Sequence, residues 1–442
     1  MSWAQVEFHD LELGDARRTA RLIRLVDDLS AQPTGSIPLA CGGWSETKAA
    51  YRLLDNPAVE WREIRDVHTT RTVERMAGQS VVLCIQDTTE LDFTSQPGIA
   101  GLGRLSHEAQ HGLYRHPTLA VTPAGVALGV LDAWLWARKP KDPPDVKESI
   151  RWVEGHEMVA DLAETLPDTR WVYVADREGD LRALIDAAAR RGTPADWLIR
   201  SKPNRKTTTG EKRGARIAQS EALGEVEFTL PAAPDRPARA VRQTLYRTGV
   251  MLPAHHGQPA VTVTAILARE EPPLAGEPAI EWWLLTNRTA DTLADVVQLI
   301  DWYRRRWLIE VFFRIWKSGC RVEALPLGTL ERLERALVIY LIIAWRLLYL
   351  VTEGRDCPNL PCDVVFDPEE WPAVWIVAHR AKPPAIPPPL GQRVRLIASL
   401  GGFLGRNRDG YPGPKALWEG MQKVTAFAIG IAAAKQAFIS SG

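Results

Sequence analysis

Cysteine is scarce in this chain: five residues in 442, none arranged as a CxxC pair. An odd, scattered set of thiols excludes a disulfide framework and points to a reducing compartment. Cys357 and Cys362 stand with four residues between them and no His or Cys partner nearby, so they read as ordinary thiols. Net charge is also absent, because 54 Lys and Arg balance 54 Asp and Glu. That excludes a uniformly basic nucleic-acid coat but leaves local patches open. The N-terminus, MSWAQVEFHD, has neither a basic nor an apolar leader region, so no signal peptide is visible. The longest apolar run, Ala336 to Val351, is interrupted by Arg346 and falls short of a comfortable bilayer span. It reads as a buried helix, with no membrane contact, and the protein is expected in the cytoplasm. No internal repeat is visible, and 45% hydrophobic with 24% charged residues excludes a disordered composition.

What is present is a mixed pattern long enough for two or three domains. Residues 1 to about 70 read as helical. In GDARRTARLIRLVDDLS, Leu22, Leu25, Val26 and Leu29 recur at helical spacing behind Asp15 as N-cap. A second helix follows, with Ser45 as cap and Asn56-Pro57 as stop. SVVLCIQD (80–87) and RWVYVAD (170–176) are apolar runs that each end in an acid, as buried strands would. Between them lie a hairpin turning at Pro123–Gly125 and a helix closed by Pro167. Residues from about 197 to 286 have β texture. A strand, hairpin, helix, strand, helix order predicts an α/β layer fold with an inserted β segment.

Charge is local. Residues 200 to 216 hold seven Lys/Arg against Glu211, a balance of +6, and residues 301 to 321 hold six against Asp301 and Glu310, +4. Residues 1 to 70 hold eight basic against eleven acidic residues, −3, so a DNA contact there must use one face.

The second basic stretch, DWYRRRWLIEVFFRIWKSG, surrounds one acid, Glu310, with arginine and aromatics. At about 100° per residue on one continuous helix, Tyr303, Arg306, Glu310 and Lys317 fall on a single narrow stripe. An intrahelical Arg306–Glu310 pair, worth about 0.2–0.5 kcal/mol, would explain Glu310 alone. It would not explain why Asp87 and Asp176 each close an apolar strand, since strand carboxyl ends in α/β sheets are where sites gather. Three converging carboxylates repel unless a divalent cation lies between them. Oxygen donors without a His cluster favour Mg²⁺, with Mn²⁺ as substitute. Two such ions can flank a phosphate and stabilise its attacking and leaving oxygens.

At these residues the chain resembles the IS-four group of bacterial insertion-sequence transposases, which are DDE enzymes. Tyr303, Arg306, Glu310 and Lys317 reproduce that group's Y-R-E-K signature, and IQDTTELDF and VADREGD look like its two aspartate motifs. LGDARRTARL, AYRLLDNP, DPPDVKES, LIRSKPNRK, WWLLTN, LGGFLG and ALWEG extend the likeness over nearly the whole chain. The resemblance implies an α/β, RNase-H-like catalytic core over 71–325, with a β-strand insertion at about 197–286. Flanking it would be an N-terminal helical DNA-binding domain (1–70) and a helical C-terminal dimerisation domain (326–442). It implies Asp87, Asp176 and Glu310 as catalytic metal ligands, with Tyr303, Arg306 and Lys317 on phosphates beside the cut. Arg18, Arg21 and Arg52 would meet the transposon end, and Arg200 the DNA backbone. Lys202 and Arg205, in the same basic segment, are expected to contact DNA phosphates with it. Trp282 would stack a base flipped from a hairpin end, while its neighbour Trp283 reads as core. The residue at Trp44 departs from the group, so end-sequence preference does not carry over.

The activity implied is Mg²⁺-dependent cut-and-paste transposition by a homodimer on double-stranded DNA, namely the inverted ends and a target. Its setting would be a bacterial cytoplasm, in association with the nucleoid. A nuclease of the same fold and a host-adopted DNA-binding protein with an idle site are the alternatives, and the intact triad speaks against the second. HEAQH (107–111) fits HExxH, a zinc-peptidase pattern with Glu108 as base, but Gly98, Gly101, Gly103 and Gly112 crowd it and Pro117 occupies the third-ligand position. It reads as a chance match. Most of the 17 tryptophans read as core or interface.

Overall fold

The apolar runs VVLCIQ and RWVYVA become neighbouring parallel strands, and the remaining elements of their unit build outward from that pair. The computed structural model describes residues 2–138, 148–201, 205–230, 237–366, 370–406 and 409–439. Helices α1 (Trp3–Glu7), α2 (Ala16–Ala31), α3 (Ile37–Cys41), α4 (Trp44–Leu54) and α5 (Trp61–Met76) open the chain. Strands β1 (Val81–Gln86), β2 (Thr89–Asp92), β3 (Gly103–Arg104), β4 (His111–Val121) and β5 (Ala127–Trp136) follow. Next come α6 (Ile150–Ala163), β6 (Arg170–Ala175), α7 (Arg182–Arg190), β7 (Asp196–Arg200) and α8 (Arg213–Ala218). Strands β8 (Ala222–Leu230), β9 (Arg239–Leu252), β10 (Val261–Glu270) and β11 (Glu281–Thr286) precede α9 (Leu293–Arg304) and α10 (Trp307–Arg314). The chain closes with α11 (Leu330–Asp356), α12 (Glu370–His379), α13 (Leu390–Leu400) and α14 (Pro414–Ile439).

These elements form two compact units made of interleaved segments. One comprises Ala77–Asp87 and Pro143–Trp307, the other Met1–Met76, Thr88–Asp142 and Leu308–Gly442. In the first unit β1, β6 and β7 are parallel, and β11 joins β7 antiparallel, with β10, β9 and β8 continuing outward as a meander. The β segment therefore extends the parallel sheet. β1 and β6 are almost wholly buried, as expected of parallel strands covered on both faces. β8, at the outer edge, alternates exposed with half-buried residues.

The second unit is organised by α11. Its most apolar 18-residue window is 89% buried, so this helix is core, as its broken apolar run predicts. Arg335 on α11 donates to the carbonyls of Val59 (2.6 Å) and Leu54 (2.9 Å), which ties down the link between α4 and α5. Trp345 Nε1 donates to the Ala127 carbonyl at 2.9 Å, bringing β5 onto the same helix. The expected N-terminal and C-terminal regions thus share one core, because an all-apolar helix needs cover on every side.

Several local expectations hold. Asp15 caps α2, accepting from the Arg17 N–H at 2.8 Å, and Leu22, Leu25, Val26 and Leu29 are buried. The five cysteines are free thiols. One shifts: α4 starts at Trp44 behind Gly43, so Ser45 lies inside the helix instead of capping it.

A larger difference lies at DWYRRRWLIEVFFRIWKSG, which is not one helix. α9 ends at Arg304, and the Arg305 and Arg306 amides bond three residues back, to the carbonyls of Trp302 (3.1 Å) and Tyr303 (3.0 Å). This tightened turn resets the helical phase before α10. α10 in turn runs into a π-helical turn, Ile315–Gly319, closed by the Cys320 amide on the Ile315 carbonyl at 2.8 Å. The uniform 100° stripe therefore does not describe these four residues.

Candidate active site

Register sets the two aspartates side by side. Ile85 pairs with Val174 in the parallel β1–β6 ladder, so Asp87 and Asp176 emerge at the same level from adjacent carboxyl ends. Asp176 Oδ1 accepts the Glu178 N–H at 2.7 Å and caps the short 3₁₀ turn Arg177–Gly179. Asp87 Oδ2 accepts from Arg306 Nη1 at 2.5 Å, and both side chains are mostly buried, 13% and 16% exposed. Beneath them Tyr173 donates to Gln86 Oε1 at 2.5 Å and to the Trp152 carbonyl at 3.1 Å. Burial holds the Tyr173 phenol well above its ordinary pKa, and the fields of Asp176 and Asp87 push the same way.

Arg200, the last residue of β7, comes level with Asp176, since Ala175 pairs with Ile199. Burial lowers the Arg200 pKa, opposed by a hydrogen bond and charge contact with the Tyr303 phenol. Burial raises the Tyr303 pKa, while Arg306 and Arg200 pull it back and Asp176 adds to the rise. Trp282 on β11 meets Tyr303 edge-on, ring centres 6.2 Å apart, and stacks on Phe228 of β8 at 5.9 Å. One unit therefore gathers Asp87, Asp176, Arg200, Tyr303 and Arg306, with Trp282 against the group.

The other sequence-derived residues fall in several segments of the chain. Glu310 is in the first turn of α10 and Lys317 on the π turn, both in the second unit. Lys317 donates to the Glu90 carbonyl at 2.7 Å and sits 3.3 Å from Glu323 Oε1. Arg18 donates to the Leu13 carbonyl at 2.9 Å, and Arg21 is paired with Glu46. Arg52 is exposed and lines an open pocket with Trp44, Lys48 and Tyr51. Trp44 itself is 80% exposed. Arg205 is turned onto Asp180, and Lys202 lies outside the described residues. Residues His107 to His111 form a turn leading into β4, so the two histidines share no helical face.

Among the described residues of either unit, no three His, Cys, Asp or Glu side chains are grouped to hold a metal. The paired carboxylates of Asp87 and Asp176 are hard oxygen donors with no histidine among them, which fits Mg²⁺ or Mn²⁺. A cation there competes with Arg306 for Asp87. Sequence reasoning missed Gln86 and Tyr173 under the acids, Phe228 behind Trp282, and Asp180. Gln86, Tyr173 and Asp180 lie within the strand and aspartate motifs of the sequence, and Phe228 does not.

Two acids on adjacent parallel strand ends, flanked by arginine and tyrosine, form the candidate site of an RNase-H-like α/β core. Three family models match the chain: Transposase DNA-binding over residues 1–59, Transposase DDE domain over 153–346, and Transposase Tn5 dimerisation domain over 342–441. The chain belongs to the Tn5-like DDE insertion-sequence transposases. Among solved structures, the cryo-EM structure of the piggyBac transposase synaptic complex with hairpin DNA aligns at 10% identity and TM-score 0.36. The alignment covers 69% of this chain, which spans about half (53%) of the length of that one.

Proposed function

We propose that this protein binds the inverted ends of its own element as a homodimer and excises and inserts that element by cut-and-paste transposition in the bacterial cytoplasm, at the nucleoid. The observation that carries the reading is the pairing of Asp87 and Asp176 with Arg306, Arg200 and Tyr303 at one set of strand ends. Asp87 and Asp176 would hold Mg²⁺, or Mn²⁺ in its place, and Glu310 is assigned as third ligand on the sequence signature alone. Bound there, divalent ions supply charge stabilisation of the phosphate and a nucleophilic water at neutral pH.

The chain's own residues do the rest. Arg306 leaves Asp87 and, with Arg200 and Tyr303, holds the phosphates flanking the cut, with Lys317 assigned to the same task from the signature. The nick frees a 3′ hydroxyl that attacks the opposite strand to form a hairpin, and Trp282 offers its ring face to the unstacked base. Hairpin reopening and joining to target DNA complete the cycle. Arg18, Arg21 and Arg52 are proposed on the transposon end. We also propose the three-part division into a DNA-binding domain (1–70), a catalytic core (71–325) and a dimerisation domain (326–442).

The test is cleavage of DNA carrying the inverted repeats that flank the gene. Mg²⁺ or Mn²⁺ should support nicking and hairpin formation, zinc should be dispensable, and His107→Ala with His111→Ala should retain activity. Full cleavage in excess EDTA would sink the reading. Nicked product without hairpin or joined target would leave a nuclease.

A further inference from the structure

The loop after Asp176 ends in a buried carboxylate for which the chemistry above has no use. Asp180 follows the Arg177–Gly179 turn and is 7% exposed. Its Oδ1 accepts from Arg205 Nη2 at 2.5 Å, its Oδ2 from Ser201 Oγ at 2.7 Å, and its carbonyl also takes the Arg205 guanidinium. Arg213, 1% exposed at the start of α8, donates to Ser201 Oγ at 2.5 Å, and its backbone N–H bonds to the Arg205 carbonyl at 2.9 Å. Burial presses the Arg213 pKa down, and Asp180 acts against that.

Topology gives this network a consequence. Asp176 and Arg200 are level on β6 and β7. Asp180 lies four residues beyond the first and Ser201 directly follows the second. The hydrogen bonds among Asp180, Ser201, Arg205 and Arg213 therefore tie together the two strand ends that present a candidate metal ligand and a candidate phosphate contact. An apolar contact could hold two loops as firmly. Directional charged hydrogen bonds also fix orientation.

We propose that Asp180, Ser201, Arg205 and Arg213 form a positioning knot that sets Asp176 and Arg200 for the reaction, and that Arg205 makes no phosphate contact although it lies in the most basic stretch of the chain. The meaning given to Asp176 and Arg200 rests on the function proposed above; the knot itself is tested separately. Full-length wild type, Arg200→Ala, Arg205→Ala, Arg205→Lys and Asp180→Asn are compared by salt-dependent binding to a short duplex, hydrogen exchange and single-turnover cleavage of end DNA. Arg200→Ala should reduce the slope of log affinity against log salt by about 0.9, whereas Arg205→Ala should leave it unchanged. Arg205→Ala and Asp180→Asn should speed exchange at residues 177–181 and 201 by about tenfold or more while β9 and β10 stay protected. Single-turnover cleavage at saturating DNA should fall about tenfold or more in Arg205→Ala, with partial recovery in Arg205→Lys. A slope change in Arg205→Ala equal to that in Arg200→Ala overturns the proposal, and so does unchanged exchange. Should Arg205→Ala not fold, Asp180→Asn and Arg205→Lys decide by exchange. Should the wild type fail to cut end DNA, the proposed function falls, and exchange still decides the knot.

Discussion

Glu310 shows how much a single residue can be read from its neighbours. A lone acid among arginines and aromatics is out of place on an ordinary surface helix, and the Y-R-E-K spacing is the ground on which a metal-ligand role is proposed for it. Glu310→Gln keeps shape and helix propensity and removes only the charge. Cleavage of end DNA should fall by about a hundredfold or more while binding persists or tightens. A folded variant cutting near the wild-type rate returns Glu310 to an ion pair worth tenths of a kcal/mol. Trp282 is tested by step. Losing the ring should remove about 1–3 kcal/mol of base stacking, so Trp282→Ala should slow hairpin formation more than the first nick. Equal slowing of both steps on a labelled end would make it a folding residue, and its stack on Phe228 gives that alternative a physical basis. The acids were legible because each ends an apolar strand. Tyr173 and Gln86 were not, since a buried polar residue in a strand looks the same in sequence whether its partner is a backbone group or an active-site neighbour.

At the scale of elements, period found what period can find. Strands β1 and β6, the β4–β5 hairpin, α2 and α6 were legible from apolar spacing and flanking turn residues. The break between α9 and α10 was not, for it contains no Pro or Gly. Three successive arginines and two tryptophans are compatible with helix throughout, and the three-residue hydrogen bonds of Arg305 and Arg306 are a tertiary outcome. The motifs LGGFLG and ALWEG acquire a packing reason where α13 crosses α14. A Cβ on Gly401 would meet the Ala416 carbonyl oxygen at 1.9 Å, and one on Gly420 the Ile397 carbonyl oxygen at 1.9 Å. Two effects compete in Gly420→Ala. Helix propensity favours alanine by about 1 kcal/mol, but the methyl meets backbone that cannot rotate away, a cost of about 1–3 kcal/mol or more. Packing should win. The expected outcome is a lower melting temperature, and a higher one would mean the helices separate readily.

Over the whole molecule, the equal charge totals conceal how the charges are placed, and unit-level assembly was the least legible feature. Nothing local in residues 1–70 says that they share a core with α11, because the pairing depends on which apolar faces remain uncovered. The same core holds a buried polar group with a stated pH signature. Glu7, 4% exposed, accepts from His68 Nδ1 at 2.5 Å and from Arg75 Nη1 at 2.8 Å, while His68 Nε2 accepts the Val130 N–H at 3.0 Å. That last bond makes the imidazole neutral, with its proton on Nδ1 facing Glu7. Burial presses Glu7 toward its neutral form, but the His68 hydrogen bond and the Arg75 guanidinium outweigh it and hold the carboxyl below its ordinary 4.5. A carboxyl with a depressed folded pKa contributes stability that is fully present above the unfolded value and is lost as pH falls through the folded one. This contribution should therefore be whole above pH 4.5 and be lost as pH falls below it. Glu7→Gln keeps the volume and cannot titrate. Its urea midpoint, followed by tryptophan fluorescence, should be lower than wild type at neutral pH and fall less steeply below pH 4.5. Because the cluster joins α1, α5 and β5, the loss should appear in the N-terminal helices by hydrogen exchange before the parallel strands of the other unit open. Parallel pH curves for the two proteins would mean that Arg75 and His68 hold Glu7 no better than water does.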